Sequence, residues 1–208
     1  MNERFFLLPE EKRLAILNAG YRVLSQNTYK KSPVSEIAAE AGISKSLLFH
    51  YFRNKKELYL FLIKTASETT IKQLYEYRCY EQENIFDIML RGLRAKVDLM
   101  RLYPDLTAFT LKCYYEKDEE VCGEVQKIIG RAASFKANES LMKLDKGQFA
   151  EGVDIKLMYL DMYYMSVGYL WEKTQQGNLD PDRMEKEFAV MIDFWKKIYL
   201  RRDEDAGN

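Results

Sequence analysis

The sequence predicts an all-α protein, a three-helix N-terminal head followed by a larger helical body, about nine helices in all. Three observations lead there. All four prolines, Pro9, Pro33, Pro104 and Pro181, stand where a helix would begin. Few segments alternate apolar and polar residues as a strand does, and the residue pairs that mark hairpin turns are missing. Apolar residues instead recur three and four apart along most of the chain.

The first helix spans residues 10–27, with Leu14, Leu17, Tyr21 and Leu24 along one face. Ser32 is placed to cap a second helix starting at Pro33, where proline loses only an amide that would be unpaired. Val34, Ile37, Ala38 and Ala41 give that helix a buried face, and Gly42 can end it in a left-handed turn. Ile43 plugs the corner and Ser44 caps the third helix, in which Leu48 and Phe52 point inward. Asn54 and Glu57 form an N-x-x-E capping box for a fourth helix running from Lys55 to near Tyr80. At 1.5 Å per residue it would be on the order of 39 Å long, with Leu58, Leu62, Ala66 and Thr69-Thr70 inward.

Asn84 can cap a fifth helix ending near Leu102, and Pro104 opens a sixth to about Tyr115. Asp118, Glu119 and Glu120 favour the start of a seventh through its dipole, continuing to about Leu144. After a break at Lys146-Gly147, Asp154 caps an eighth helix that stops at Gly177. Asp180-Pro181 starts the ninth, ending near Leu200, and the tail from Arg202 to Asn208 is polar. The natural division is a head at 1–56 and a body at 57–208.

Two short helices around a glycine turn, followed by a capped helix, are an arrangement that offers a small helix to the major groove of DNA. The stretch carrying it is SPVSEIAAEAGISKSLLFHYFRNKKE, from Ser32 to Glu57. Over about residues 12–63 the sequence resembles the tetracycline-repressor (TetR) family of bacterial regulators. The resemblance is carried by Val34-Ser35-Glu36-Ile37-Ala38, Ala41-Gly42-Ile43-Ser44-Lys45 and His50-Tyr51-Phe52-Arg53-Asn54-Lys55. Where the family often has Lys-Gly-Thr-Leu-Tyr-His-Tyr-Phe, this chain has Lys45-Ser46-Leu47-Leu48-Phe49-His50-Tyr51-Phe52. Ser46 stands for a glycine whose backbone can approach DNA closely, and Phe49 lacks a hydroxyl for a phosphate. The expectation is an unusual DNA sequence read in the usual docking mode. The DNA-facing set is then Ser32, Pro33, Ser44, Lys45, Ser46, Leu47, Phe49, His50, Tyr51 and Lys55. Lys55 sits at a helix start, where free amides and the dipole favour a phosphate.

Charge placement agrees. Formal net charge is zero, yet residues 1–56 hold ten Lys/Arg against five Glu, leaving a basic head on an acidic remainder. Cys79, Cys113 and Cys122 are odd in number and lack metal-like spacing, as expected of reduced cytoplasmic thiols. No run approaches the roughly 18 apolar residues of a membrane span, and no signal peptide is visible. Phe5-Phe6-Leu7-Leu8 is expected to pack on the body or to remain partly loose. His50 is the only histidine and falls in the candidate recognition helix, so it cannot serve a catalytic dyad elsewhere. With no phosphate-cradling glycine loop, G-x-S-x-G elbow or paired metal motif, an enzyme, a metal site and a cofactor are not expected.

In the body, Gly168 and Trp171 of the eighth helix and Met184, Phe188, Met191, Ile192 and Trp195 of the ninth mark a candidate dimer interface. The resemblance implies a homodimer on a near-palindromic double-stranded operator, acting as a repressor. It also implies a cavity for a small, largely apolar effector among the body helices, for which Phe109, Tyr114, Met162 and Tyr163 are the candidate lining. The alternative is a DNA-binding dimer controlled by a protein partner.

Overall fold

Local capping signals set most helix ends in the computed structural model, which describes residues 3–82, 84–133, 144–177 and 179–201. A short 3₁₀ turn, Glu3–Phe5, precedes α1 (Glu10–Gln26), α2 (Val34–Glu40), α3 (Lys45–Tyr51) and α4 (Lys55–Glu76). After a second 3₁₀ turn, Cys79–Glu81, come α5 (Ile85–Leu102), α6 (Leu106–Tyr114) and α7 (Cys122–Ala133). A third turn, Lys146–Gln148, precedes α8 (Ile155–Gln175) and α9 (Pro181–Tyr199). The only β pairing among the described residues is one isolated bridge, Phe149 with Leu200.

The expected caps are in place. Asp154 Oδ1 accepts from the amides of Lys156 (2.8 Å) and Leu157 (3.0 Å), and Asp180 Oδ1 from those of Asp182 (3.0 Å) and Arg183 (3.2 Å). Asn84 Oδ1 accepts from the Phe86 amide at 2.8 Å. Asn54 Oδ1 accepts from Glu57 N at 2.8 Å, and Glu57 Oε2 reaches back to the amide of Arg53 at 3.0 Å, closing the capping box one residue early.

Three elements differ from expectation. The second helix begins at Val34 and its side-chain cap is absent: Ser32 Oγ donates instead to Thr28 O at 2.7 Å, closing a turn after α1. Helix α4 ends at Glu76 instead of near Tyr80, because Arg78 adopts a left-handed φ of 51°. There Arg91 Nη1 donates to Tyr77 O (3.3 Å) and Tyr77 Oη to Asp98, holding the chain in a turn against α5. Helix α7 starts at Cys122, after a turn in which Cys122 N donates to Asp118 O at 2.8 Å. Its expected extension over residues 134–143, and the tail at 202–208, lie outside the described residues.

The chain packs as two units, Met1–Ile71 with Leu99–Ala133, and Lys72–Asp98 with Ser134–Asn208. The expected head, 1–56, falls within the first unit, which also takes in most of α4 together with α6 and α7. Its core includes Ile16, Tyr21, Val23, Ile37, Leu48, Phe52, Leu62 and Phe109. Helix α1 packs on α2 and α6, and Gly20 lets it approach α4: a Cβ there would lie 2.6 Å from Leu62 Cδ1. The second unit is built around Ile85, Phe86, Leu93 and Val97 of α5, Met158 and Met162 of α8, and Phe188, Ile192 and Trp195 of α9. Backbone bonds from Ala150 N to Tyr199 O (2.9 Å) and from Arg201 N to Gln148 O (3.0 Å) tie the segment before α8 to the end of α9.

Candidate nucleic-acid interface

Helix α3 is presented by the turn before it. Gly42 has φ +66°, and the amides of Gly42 and Ile43 donate to Ala39 O and Ala38 O, each at 3.0 Å. A side chain at Gly42 would adopt this left-handed conformation only under strain. Ser44 Oγ then accepts from Leu47 N at 3.1 Å, as the sequence leads one to expect, and lies 3.0 Å from Ser46 Oγ. Leu48 and Phe52 are buried beneath, which fixes the rotation of the helix and leaves Ser44, Lys45, Ser46, Leu47 and His50 exposed. Phe49 is half-buried, with Lys45 Nζ 5.9 Å from its ring centre, and Pro33 is exposed nearby in sequence.

The structure turns two of the candidate DNA-facing residues inward. Ser32 is buried and spends its hydroxyl on Thr28 O. Tyr51 is buried with its ring 6.2 Å from Phe5, so it supports α3 from behind. Lys55 is already engaged within its own unit: Nζ donates to Lys30 O at 3.1 Å and lies 5.0 Å from the Tyr29 ring centre. Burial lowers its pKa, against the opposing pull of Glu120 and Asp118. Lys56 pairs with Glu124 at 2.7 Å.

Those two lysines belong to a polar girdle connecting the head to α6 and α7. Glu116 Oε2 accepts from Tyr29 N (3.3 Å) and Tyr59 Oη (3.4 Å), and Tyr59 Oη lies 3.3 Å from Cys113 Sγ. Lys112 Nζ donates to Ser25 O at 3.0 Å. Burial pushes the Tyr59 phenol up and the Cys113 thiol up to about 12, so both remain protonated and neutral at neutral pH.

Sequence reasoning missed the N-terminal turn. Phe5 is only 2% exposed and lies among Phe61 (5.1 Å between ring centres), Phe52 (5.4 Å) and Tyr51. Arg4, exposed, reaches His50 Nε2 at 2.9 Å. A four-residue apolar tag has no periodicity to show which surface it will cover.

The candidate effector residues are divided between the units. Phe109 and Tyr114 belong to the first, Met162 and Tyr163 to the second. Phe109 is fully buried, packed between Tyr21 (5.3 Å) and Tyr59 (5.7 Å), and so fills the core of its unit. Tyr114 is 43% exposed, Met162 is buried and Tyr163 half-buried. A second overlooked residue is Lys96, which follows Ile85, Met89 and Leu93 in the apolar stripe of α5. Its side chain reaches solvent, yet enough protein surrounds it that desolvation lowers its pKa, and no carboxylate pairs with it among the described residues.

The candidate dimer residues divide as well. Met184, Phe188, Ile192 and Trp195 are buried in the core of a single chain. Met191 is half-buried, while Gly168 and Trp171 face outward. The outward residues continue a stripe along α8, Leu157, Leu160, Tyr164, Gly168 and Trp171, and α9 exposes Val190, Phe194 and Ile198 on its other side. A Cβ at Gly168 would meet nothing within 4 Å. Among the described residues no group of His, Cys, Asp and Glu is placed to hold a metal ion, and no helix is long and apolar enough to cross a membrane.

Comparison with known proteins agrees with this geometry. Residues 16–61 match the model of the bacterial regulatory proteins, tetR family. The fatty acid metabolism regulator protein of Bacillus subtilis is 32% identical over 65 residues, 31% of this chain and 34% of its own length. The chain spans about a third to a half of the length of the first curated relatives it matches, which are regulators by name. A TetR family transcriptional regulator from Chloroflexus aurantiacus superposes with a TM-score of 0.64 at 21% identity, covering 97% of this chain and 99% of that one. FadR from Bacillus subtilis, solved in complex with stearoyl-CoA, gives 0.60 at 18% identity over 86% of this chain and 96% of that one. At these identities the structures speak to the fold, from head to last helix. The match over residues 16–61 likens the helix-turn-helix head to the tetR family of bacterial regulatory proteins, and the structures extend the likeness of fold to the remaining helices.

Proposed function

We propose that this chain is a DNA-binding transcription regulator of the cytoplasm and no enzyme, acting as a homodimeric repressor on a near-palindromic operator. The observation that carries the reading is the outward face of α3, where Lys45, Ser46, Leu47 and His50 are exposed above buried Leu48 and Phe52. A short helix held from behind by apolar side chains, with polar and basic groups in front, suits a major groove. Lys45, Leu47 and His50 are the base-edge readers in this scheme. Ser44, Ser46, Pro33 and the amides that open α4 face phosphate, with Phe49 flanking them.

Dimerisation through the outward stripes of α8 and α9 would set the spacing of the two recognition helices. Successive grooves require centres about 34–36 Å apart, so a few ångströms of splay would release DNA. An effector shifts that spacing only by binding one arrangement better than the other. We assign the effector to the body, with Met162 and Tyr163 as candidate apolar contacts. The stearoyl-CoA complex of FadR supports a ligand that carries a long acyl chain.

The test is selection of bound duplexes from random DNA, repeated with long-chain acyl compounds present. Enrichment of a two-fold symmetric sequence, lost on adding the compound, is the expected result. No enrichment at all would overturn the reading. Enrichment indifferent to every such compound would favour control by a protein partner.

A further inference from the structure

We propose that the cavity beneath the N-terminal turn is a binding site for a compact aromatic carboxylate, held at its anionic end by Arg13 and Tyr103. The site lies wholly within the first unit and is separate from the effector assigned to the body. Its test does not depend on the DNA-binding reading.

The cavity forms where the N-terminal turn and Phe6 meet α1 and α4. Its volume is about 280 Å³, near the lower limit for small-molecule sites, so it suits one ring or two fused rings. The walls are mainly apolar, built from Phe5, Phe6 and Phe61 with Leu14 and Leu17. The three phenyl rings meet edge to face: Phe5 lies 5.5 Å from Phe6 and 5.1 Å from Phe61, and Phe6 lies 6.2 Å from Phe61. Rings in that arrangement offer both faces and edges to a flat aromatic guest. Phe6 is 50% exposed, so a ring lying against it removes apolar surface from water.

The polar groups at the cavity set the charge of the guest. Arg13 lines it, is half-buried, and makes no ion pair or side-chain hydrogen bond among the described residues. A guanidinium only donates, in a planar fork that matches a carboxylate. Tyr103 lines the cavity too, its ring fixed edge-on against Tyr21 at 5.9 Å. Its hydroxyl has no hydrogen-bond partner among the described residues. Burial pushes the Tyr103 phenol up, with Glu10 adding to the rise and Arg13 opposing it, so the hydroxyl keeps its proton and can donate. The other charges at the rim offer no rival anchor. Lys64 and Glu68 pair with each other at 3.7 Å, and Glu10 is exposed, where water and salt screen it.

The experiment uses the full chain and isothermal titration calorimetry, with naphthoate as the probe and uncharged naphthamide as the control. Naphthoate should bind saturably and roughly 10- to 100-fold more tightly than naphthamide, as a hydrogen-bonded charge allows. Arg13→Gln should erase that preference, while its circular dichroism melt without probe matches the parent, because the side chain has no partner to lose. Tyr103→Phe should weaken naphthoate several-fold. Thr65→Phe adds a ring to the cavity from α4 and should abolish the binding of both compounds. A parent protein that binds no naphthoate would overturn the proposal. So would binding that survives both Arg13→Gln and Thr65→Phe, since the probe would then sit elsewhere. If the parent binds no naphthoate and Phe6→Ser changes the oligomeric state in sedimentation, the cavity belongs to a second copy of the chain, and the proposal is likewise overturned.

Discussion

Charging the outward stripes of α8 and α9 should split the dimer without unfolding the chain. Leu160 is 40% and Phe194 50% exposed in a single chain, so each has roughly half of its surface left to bury. Full burial of such a side chain is worth about 1.5–3 kcal/mol, and the remaining half about 0.7–1.5 kcal/mol. Both side chains on both protomers then bring roughly 3–6 kcal/mol to a two-fold interface, on the order of 10²–10⁴ in dissociation constant. Burying a carboxylate in their place adds a penalty, which makes this a lower bound. Leu160→Glu with Phe194→Glu should therefore sediment as a monomer at micromolar concentration, with a helical circular dichroism spectrum and a melt close to the parent. Phe188→Glu with Ile192→Glu, on the buried face of α9, should instead unfold the second unit, since both residues are under 5% exposed. A dimer undiminished by the first pair of substitutions, or an unsubstituted protein that is monomeric at that concentration, would refute the reasoning.

Further expectations concern stability and control. Gly42→Ala meets no atom within 4 Å, so only its left-handed backbone opposes it; urea unfolding should show a loss of about 1–2 kcal/mol. Hydrogen bonds from Lys173 (2.8 Å), Tyr169 (2.6 Å) and Arg183 (2.6 Å) depress the Glu187 pKa from its ordinary 4.5 to about 2. A depressed carboxylate stabilises fully above its unfolded pKa and loses that contribution as pH falls through the folded one. Acid unfolding should thus carry a component between pH 4.5 and 2 that Glu187→Gln removes. A long-chain acyl compound that binds the body should weaken operator binding. In the unsubstituted protein, compound and operator should weaken each other by the same factor, measured by competition.

What was legible in the sequence was whatever a few neighbouring residues decide among themselves. Ser44, Asn54, Asp154 and Asp180 cap because a short polar side chain can reach the next turn's amides wherever the chain enters a helix, and Gly42 turns because it alone bears that φ without strain. Ser32 has the right side chain for a cap, but its hydroxyl turns back to donate to Thr28 O. Periodicity shows that α9 is apolar, but it has two apolar faces, and only packing against α5 and α8 decides which becomes core. Phe109 illustrates the same limit, since an aromatic that fills a core has the composition of one that lines a pocket. The docking of Phe5 depends on Phe61, far along the chain, and so left no local trace.

The most direct test of the central claim, that the front of α3 reads bases, is the ratio of affinities for selected and random DNA. Lys45→Ala, Leu47→Ala and His50→Ala should be compared with the parent at fixed salt. At least one of these substitutions should cost about 1–3 kcal/mol on the selected duplex, with the loss confined to particular base pairs and random-duplex affinity changed far less. Equal losses on both duplexes for all three variants would contradict it.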